Sequence, residues 1–392
     1  MFTYDWRRSL PELATELHEF CEATFPNQPV QIMAHSLGGL LSFDIMRKHP
    51  KKYAPGAVVV GVPFETGIQY LQDLHKGYYT ELDRCRQFTP DKQFSMSSHW
   101  SFFPITKHRL EDRFVDVTNR CNNGEDVQFN ADQSGIGKQT KLQPKVEGDN
   151  AYFDFYSVEE WERNDIGIFG PEYDDLLTDE QRKAYMGHMR IQLAAAKEWR
   201  KTVLGEREDD DDITDYKEEF LPPFVACQSN TVPTINQILR RRRKKPTENI
   251  MTRKGRDVSN PYEYDYINGR AVPGDGRIDY DKAFPPDFVS HKRVTLDSPH
   301  TKQMCWGSSS GSLGRVYEEV VHQAEEYLKR REQEEKQEAN SSRTSNIGEV
   351  MRQESRRSRM KRLALKARKK VKFDILNITR RRRFSRFKRR LK

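Results

Sequence analysis

The chain has 392 residues, enough for one large domain or two ordinary ones, and its 35% hydrophobic and 32% charged content describes a folded body carrying solvated segments. The net charge of +8 is unevenly placed: from Lys329 onward 25 Lys+Arg stand against 7 Asp+Glu, a net of +18, which leaves −10 on residues 1–328. No apolar run is long enough for a membrane-crossing helix, the N-terminus has no apolar core of signal-peptide length, and Cys21, Cys85, Cys121, Cys227 and Cys305 lack zinc-like spacing.

Leu10, Leu13, Leu17 and Phe20 fall at helical spacing and predict an amphipathic helix over 9–25, ended by Pro26-Asn27-Gln28-Pro29. The apolar run Val30-Gln31-Ile32-Met33 predicts a strand, and it leads into Ala34-His35-Ser36-Leu37-Gly38 and then a helix over 39–47. A serine on a sharp strand-to-helix turn, with small residues two positions before and after it, is the nucleophile elbow of α/β-hydrolases. The pentapeptide alone arises by chance in roughly one chain of this length in four, so the flanking strand and helix patterns carry the assignment. Such a turn exposes the Ser36 hydroxyl. The helix behind it aims N–H groups at developing negative charge, and the Leu37 N–H is the expected oxyanion donor. His35 is too close along the backbone to serve Ser36 as a base and is expected beneath the elbow.

Ala57-Val58-Val59-Val60-Gly61-Val62 is a continuous apolar run, the pattern of a strand buried on both faces of a parallel sheet, and its alternation with helices gives an α/β fold. Residues 64–200 are richer in aromatics, Gly, Asn and charge and read as an insertion over the elbow, with a helix over 179–201. Further on, the reading predicts an acidic surface loop at Glu206–Asp212, a core strand at Phe224–Cys227 and an exposed basic loop at Arg240–Lys245. A last strand at Val289–Leu296 and a closing helix at Leu313–Arg331 complete it. This divides the chain into a hydrolase core at 1–63, a lid or cap insertion at 64–215, the second part of the core at 216–331, and a basic, largely disordered tail at 332–392.

A nucleophilic serine needs a base, and the base needs an orienting carboxylate; in this fold they follow in the order Ser, Asp or Glu, His, on loops after late strands. Gly274-Asp275-Gly276 is a turn, and Pro299-His300 follows the last strand, with room between them for a helix and a strand. An Asp in such a turn is often only a turn residue, and Asp279 and Asp281 compete nearby. His291 lies within or beside the last strand, whereas His300 comes just after it. The order Ser36, Asp275, His300 singles out that set.

Tyr4-Asp5-Trp6-Arg7, Ala34-His35-Ser36-Leu37-Gly38-Gly39, Gly61-Val62-Pro63-Phe64 and Val272-Pro273-Gly274-Asp275-Gly276 occur in an order that resembles the lecithin:cholesterol acyltransferase family, which includes phospholipid:diacylglycerol acyltransferases and lysosomal phospholipase A2. The resemblance spans roughly residues 2–330. It implies a Ser36–Asp275–His300 triad and transfer of a fatty acyl group from a phospholipid donor to a hydroxyl acceptor: a sterol, a diacylglycerol or water. No cofactor and no metal are implied. Trp100, Phe102 and Phe103, in the aromatic stretch, correspond to the family's lid or membrane-facing region and are expected to touch lipid. The family carries its first strands and a loop with a second oxyanion donor ahead of Asp-Trp-Arg, whereas Met1 stands just before that segment here. The resemblance therefore implies an N-terminally incomplete fold. Loss of one oxyanion donor costs about two to three orders of magnitude in rate, so the alternative function is a weak or inactive member acting as a lipid- or partner-binding protein. Arg277-Ile278 stands where the family often has Thr-Val.

The tail interleaves basic clusters at Arg356-Arg357, Lys369-Lys370, Arg380–Arg383 and Lys388–Arg390 with Phe384, Phe387 and Leu391. Such a segment suits an anionic membrane surface, which agrees with a lipid substrate better than nucleic acid does; a solvated tail is the plainer reading. Cys85 and Cys121 could pair or stay free, and the sequence assigns no location.

Overall fold

The structure is a computed structural model. It describes residues 1–65, 68–79, 87–105, 114–116, 153–170, 173, 176–205, 221–236, 238–242, 262–266, 271–304 and 312–342. The chain divides into two units, Met1–Ala324 and Glu325–Lys392.

In the first unit, helix α1 (Leu10–Thr24), entered through Pro11, is followed by strand β1 (Ile32–His35), helix α2 (Leu37–Lys48) and strand β2 (Ala57–Val60). Helix α3 (Ile68–Lys76), the short strands β3 (Tyr78–Tyr79) and β4 (Gln87–Phe88), helix α4 (Pro90–Phe94) and a 3-10 turn at Ser97–Phe102 follow. Strand β5 (Phe114–Asp116), helix α5 (Val158–Arg163) and helix α6 (Asp179–Trp199) come next. Thr178 and Gln181 form a capping box that starts α6, and a π-helical turn, Arg200–Leu204, prolongs it. Then come β6 (Phe224–Ser229), β7 (Val232–Ile235), β8 (Ile238–Arg242), β9 (Tyr262–Asp265), β10 (Ala271–Gly274), β11 (Lys292–Leu296) and helix α7 (Ser312–Ser342).

The principal sheet has the order β1-β2-β6-β11, and every pairing in it is parallel. Side chains alternate across it. Ala57, Val59, Phe224 and Ala226 pack with Leu10, Leu13, Leu40 and Phe43 on the side of α1 and α2. Val58, Val60, Val225, Cys227 and Leu296 pack with Val316 of α7 on the other. Burial on both faces is what the unbroken valine run dictates, since a strand between two helical layers has no solvent face. A second, aromatic core is built mainly from residues between β2 and β6, where Trp100 and Trp161 meet edge-on at 5.5 Å among Phe94, Phe103 and Phe155. Buried polar contacts tie the end of α6 to α2 and brace the segment between β2 and β6 within itself. Trp199 Nε1 donates to Asp44 Oδ2 at 2.9 Å, and Arg200 donates to the carbonyls of Ser101 (2.6 Å) and Phe64 (2.7 Å).

Three sequence expectations change. Arg240–Arg242, expected at the start of an exposed loop, lie in β8, paired with β5 and β9. Helix α7 runs on to Ser342, through the first residues assigned to the disordered tail. The room between Asp275 and His300 holds a 3-10 turn, Tyr280–Lys282, and strand β11. Trp100, Phe102 and Phe103 are 0, 7 and 0% exposed: they turn into the cores instead of presenting a lipid-facing surface, because an aromatic cluster this large has more to gain from mutual packing than from water. Cys85, Cys121, Cys305, the acidic run at 206–212 and residues 343–392, with the basic clusters, lie outside the described residues. Among the described residues no helix is long and apolar enough to cross a membrane.

Candidate active site

Ser36 sits between the end of β1 and the first turn of α2 with φ 53° and ψ −127°. A side chain there is strained by about 1–3 kcal/mol. The surroundings hold it: the Ser36 N–H donates to Val60 O at 2.8 Å and the Gly39 N–H donates to Ser36 O at 2.9 Å. The need for small neighbours falls partly elsewhere than expected. A Cβ at Gly38 would make ordinary contacts, 3.7 Å from both Ala34 Cβ and Tyr4 Oη, whereas a Cβ at Gly39 would lie 2.2 Å from Val62 Cγ2. At Gly39, therefore, α2 passes too close to Val62 beyond β2 to admit a side chain. Leu37 is the first residue of α2, where backbone N–H groups have no acceptor within the helix.

His300 lies in a 3-10 turn just after β11. Its Nε2 is 3.1 Å from Ser36 Oγ and its Nδ1 is 2.8 Å from Asp275 Oδ2. An ionised carboxylate can only accept, so Nδ1 carries the proton and Nε2 faces the serine hydroxyl as acceptor. Asp275 is 1% exposed. Burial pushes its carboxyl up, but the His300 hydrogen bond and charge and the N–H groups of Ile278 and Arg277 outweigh it, and the net shift is downward. Those two N–H groups reach Oδ1 at 2.8 and 2.9 Å. Asp275 thus stays an anion without bulk water. Of its competitors, Asp279 immediately precedes the 3-10 turn and Asp281 lies within it.

His35 lies under His300, ring centroids 4.7 Å apart, and its Nε2 donates to the His300 carbonyl at 3.1 Å. Burial first, then the neighbouring His300, hold its imidazole down at about 4, so it is neutral near pH 7. His291 turns elsewhere, its Nδ1 on Val289 O at 2.7 Å. Two residues of the site have no role assigned from the sequence: Gly61, part of a motif but with φ 56° against His300, and Gln303, buried beside Asp275. The end of an apolar strand is a signal for Gly61, but nothing local marks Gln303. Arg277, beside Asp275, pairs with the buried Asp73 of α3. Among the described residues no group of three or more His, Cys, Asp or Glu could hold a metal ion.

Neither the pairing of Ser36 with His300 nor that of His300 with Asp275 is local, for each spans many residues of sequence. The arrangement lines up a hydroxyl, an imidazole and a buried carboxylate in the sense needed for proton transfer away from the hydroxyl.

No curated protein matches the chain. Among solved structures, one described as "The crystal structure of Tle4-Tli4 complex" aligns with a TM-score of 0.49 and 11% identity over 81% of this chain and 67% of that one, a likeness too slight to bear on the chemistry. The family model for lecithin:cholesterol acyltransferase matches residues 1–141. That stretch holds the Tyr4–Arg7 segment, the Ser36 elbow and the Gly61–Phe64 segment. Over residues 1–141 the chain is similar to the lecithin:cholesterol acyltransferase family.

Proposed function

We propose that this protein is an α/β-hydrolase-type lipid acyltransferase or phospholipase working through an acyl-Ser36 intermediate. The single observation that carries this reading is the unbroken Ser36–His300–Asp275 hydrogen-bond chain; the family match supports a lipid ester as substrate. Ser36 Oγ attacks the ester carbonyl of a phospholipid as His300 Nε2 takes its proton. Asp275 keeps the imidazole oriented and stabilises the imidazolium. The carbonyl electrons move onto oxygen, held by the Leu37 N–H and the positive end of α2. Collapse expels the lyso-lipid alkoxide, which takes the proton from His300 Nε2, and leaves acyl-Ser36. A second hydroxyl, from a sterol, a diacylglycerol or water, then gives its proton to Nε2 and its oxygen to the acyl carbon; the bond from that carbon to Ser36 Oγ breaks, and Oγ takes the proton back from His300 Nε2.

Residues 64–215 act as the lid over this site, and the basic tail brings the protein to anionic membrane surfaces, where each basic residue near the surface contributes about 1 kcal/mol. The test is covalent labelling by a fluorophosphonate. The wild-type protein should label at one site and Ser36→Ala should not label. A folded wild-type protein that takes no label, or a Ser36→Ala variant that labels as well, ends this reading.

A further inference from the structure

We propose that Gln303 is a positioning residue for Asp275, acting through a closed ring of buried hydrogen bonds behind the carboxylate. This rests on the Ser36 reading above. Gln303 and Gln228 are both 0% exposed. Gln303 Nε2 has two protons and two acceptors, Asp275 Oδ2 at 3.2 Å and Gln228 Oε1 at 3.2 Å. Gln228, on β6, donates its own amide to Ile278 O at 3.0 Å. Ile278 closes the ring, since its N–H donates to Asp275 Oδ1 at 2.8 Å and its carbonyl accepts from the Asp275 N–H at 3.2 Å. The two carboxylate oxygens are therefore held from opposite sides. Oδ1 is held by the backbone of its own turn, and Oδ2 by an amide anchored to the central sheet.

The orientation of the Gln303 amide carries the argument. With Nε2 on Asp275, Oε1 is buried without a hydrogen bond of good geometry. It lies where a Cβ on residue 61 would come within 2.4 Å, and Gly61 leaves that space open. Reversing the amide would set a carbonyl oxygen against the Asp275 carboxylate, so the amide keeps its donors on Asp275 at the expense of a poorly satisfied oxygen. A residue that only filled space would have no use for this arrangement. The amide shares Oδ2 with His300 Nδ1 and so competes with the imidazole for the same negative charge. Its donor withholds part of that charge from the His300 imidazolium. The other titratable groups facing this cluster are His35, beneath His300 and beside Gln303, and Arg277, which is paired to Asp73.

Removing the donor should let Asp275 favour the imidazolium more strongly, and the acid limb of Ser36 reactivity should move to higher pH. The experiment measures fluorophosphonate labelling rate against pH for wild type, Gln303→Met and Gln303→Glu, with thermal unfolding of each. Gln303→Met keeps length and bulk without the donor. Its plateau rate should fall about fivefold to tenfold, the effect of one buried hydrogen bond, with the acid limb displaced upward. Gln303→Glu separates the donor from the bulk: where its carboxyl stays protonated beside Asp275 it can still donate, so the limb should return toward the wild-type position, because two carboxylates in one site cannot both ionise easily. A Gln303→Met variant that is less stable but keeps the wild-type limb and plateau would reduce Gln303 to a structural role and overturn the proposal. A wild type that does not label fails the Ser36 reading itself, a distinct outcome.

Discussion

His300 is joined to Asp275 twice: its backbone N–H donates to the Asp275 carbonyl at 2.9 Å, and its ring Nδ1 meets the Asp275 carboxylate at 2.8 Å. Two attachments to one residue fix both the position of the turn and the rotation of the ring. A ring free to turn would present Nε2 to Ser36 only part of the time.

Asp275→Asn should therefore leave the fold in place and remove most of the activity. The amide oxygen can still accept from Arg277 N–H and Ile278 N–H, but an amide N–H facing Nδ1 selects the wrong tautomer. The expected loss in kcat is about 10⁴-fold, read on a soluble p-nitrophenyl ester. A loss smaller than about tenfold would remove Asp275 from the proposed machinery.

The neutral His35 makes stability depend on pH. Its imidazole titrates at about 4 in the folded protein and near 6.5 when unfolded. Between those values the unfolded chain binds a proton that the native state refuses. Stability is full above about pH 6.5 and declines as pH falls toward 4, by up to about 3 kcal/mol from this group. Burial holds His99 at about 3, so it acts in the same direction. Urea unfolding at pH 7 and pH 4.5 should show the decline, and His35→Gln should flatten it. An equal decline in the variant would assign the effect to other groups.

Gly61→Ala should be harmful out of proportion to its size. The backbone there has φ 56°, and the added Cβ would lie 2.4 Å from Gln303 Oε1 and 3.1 Å from His300 Nδ1. Strain alone costs about 1–3 kcal/mol, measurable as a lower denaturation midpoint. Because Gln303 or His300 must move to make room, fluorophosphonate labelling should slow as well. A stable variant with the wild-type labelling rate would show that the turn accommodates a side chain.

Trp100→Ala should act on folding. The side chain is wholly buried between Phe94 and Trp161, and truncating such a residue costs about 3–5 kcal/mol. Thermal unfolding should register this loss. Sedimentation with anionic vesicles, at a temperature where the variant is folded, should be unchanged. Weaker vesicle binding by a folded variant would restore Trp100 as a lipid contact.

Much of the candidate site is legible in the amino-acid sequence. Ser36 stands out because an elbow needs a strand, a small neighbour and a helix in immediate succession, all of them local signals. Asp275 and His300 are legible through chain order and turn chemistry. Trp100, Phe102 and Phe103 mislead for a physical reason: an aromatic run has the same composition whether it faces lipid or a core, and only the partners differ. Here those partners include Trp161, Phe155 and Phe153, far along the chain.

The amino-acid sequence by itself determined the local strain at Ser36, the two-faced burial of Ala57–Val60 and the charge division between body and tail. These depend on residue type and short-range spacing. The tertiary structure alone decided that His300 reaches Ser36, that Gln303 and Gln228 close a ring around Asp275, and that the aromatic stretch faces inward. Each of these is a contact between segments distant in sequence, and the free energy that selects it is spread over the packing of two cores rather than written in any one segment.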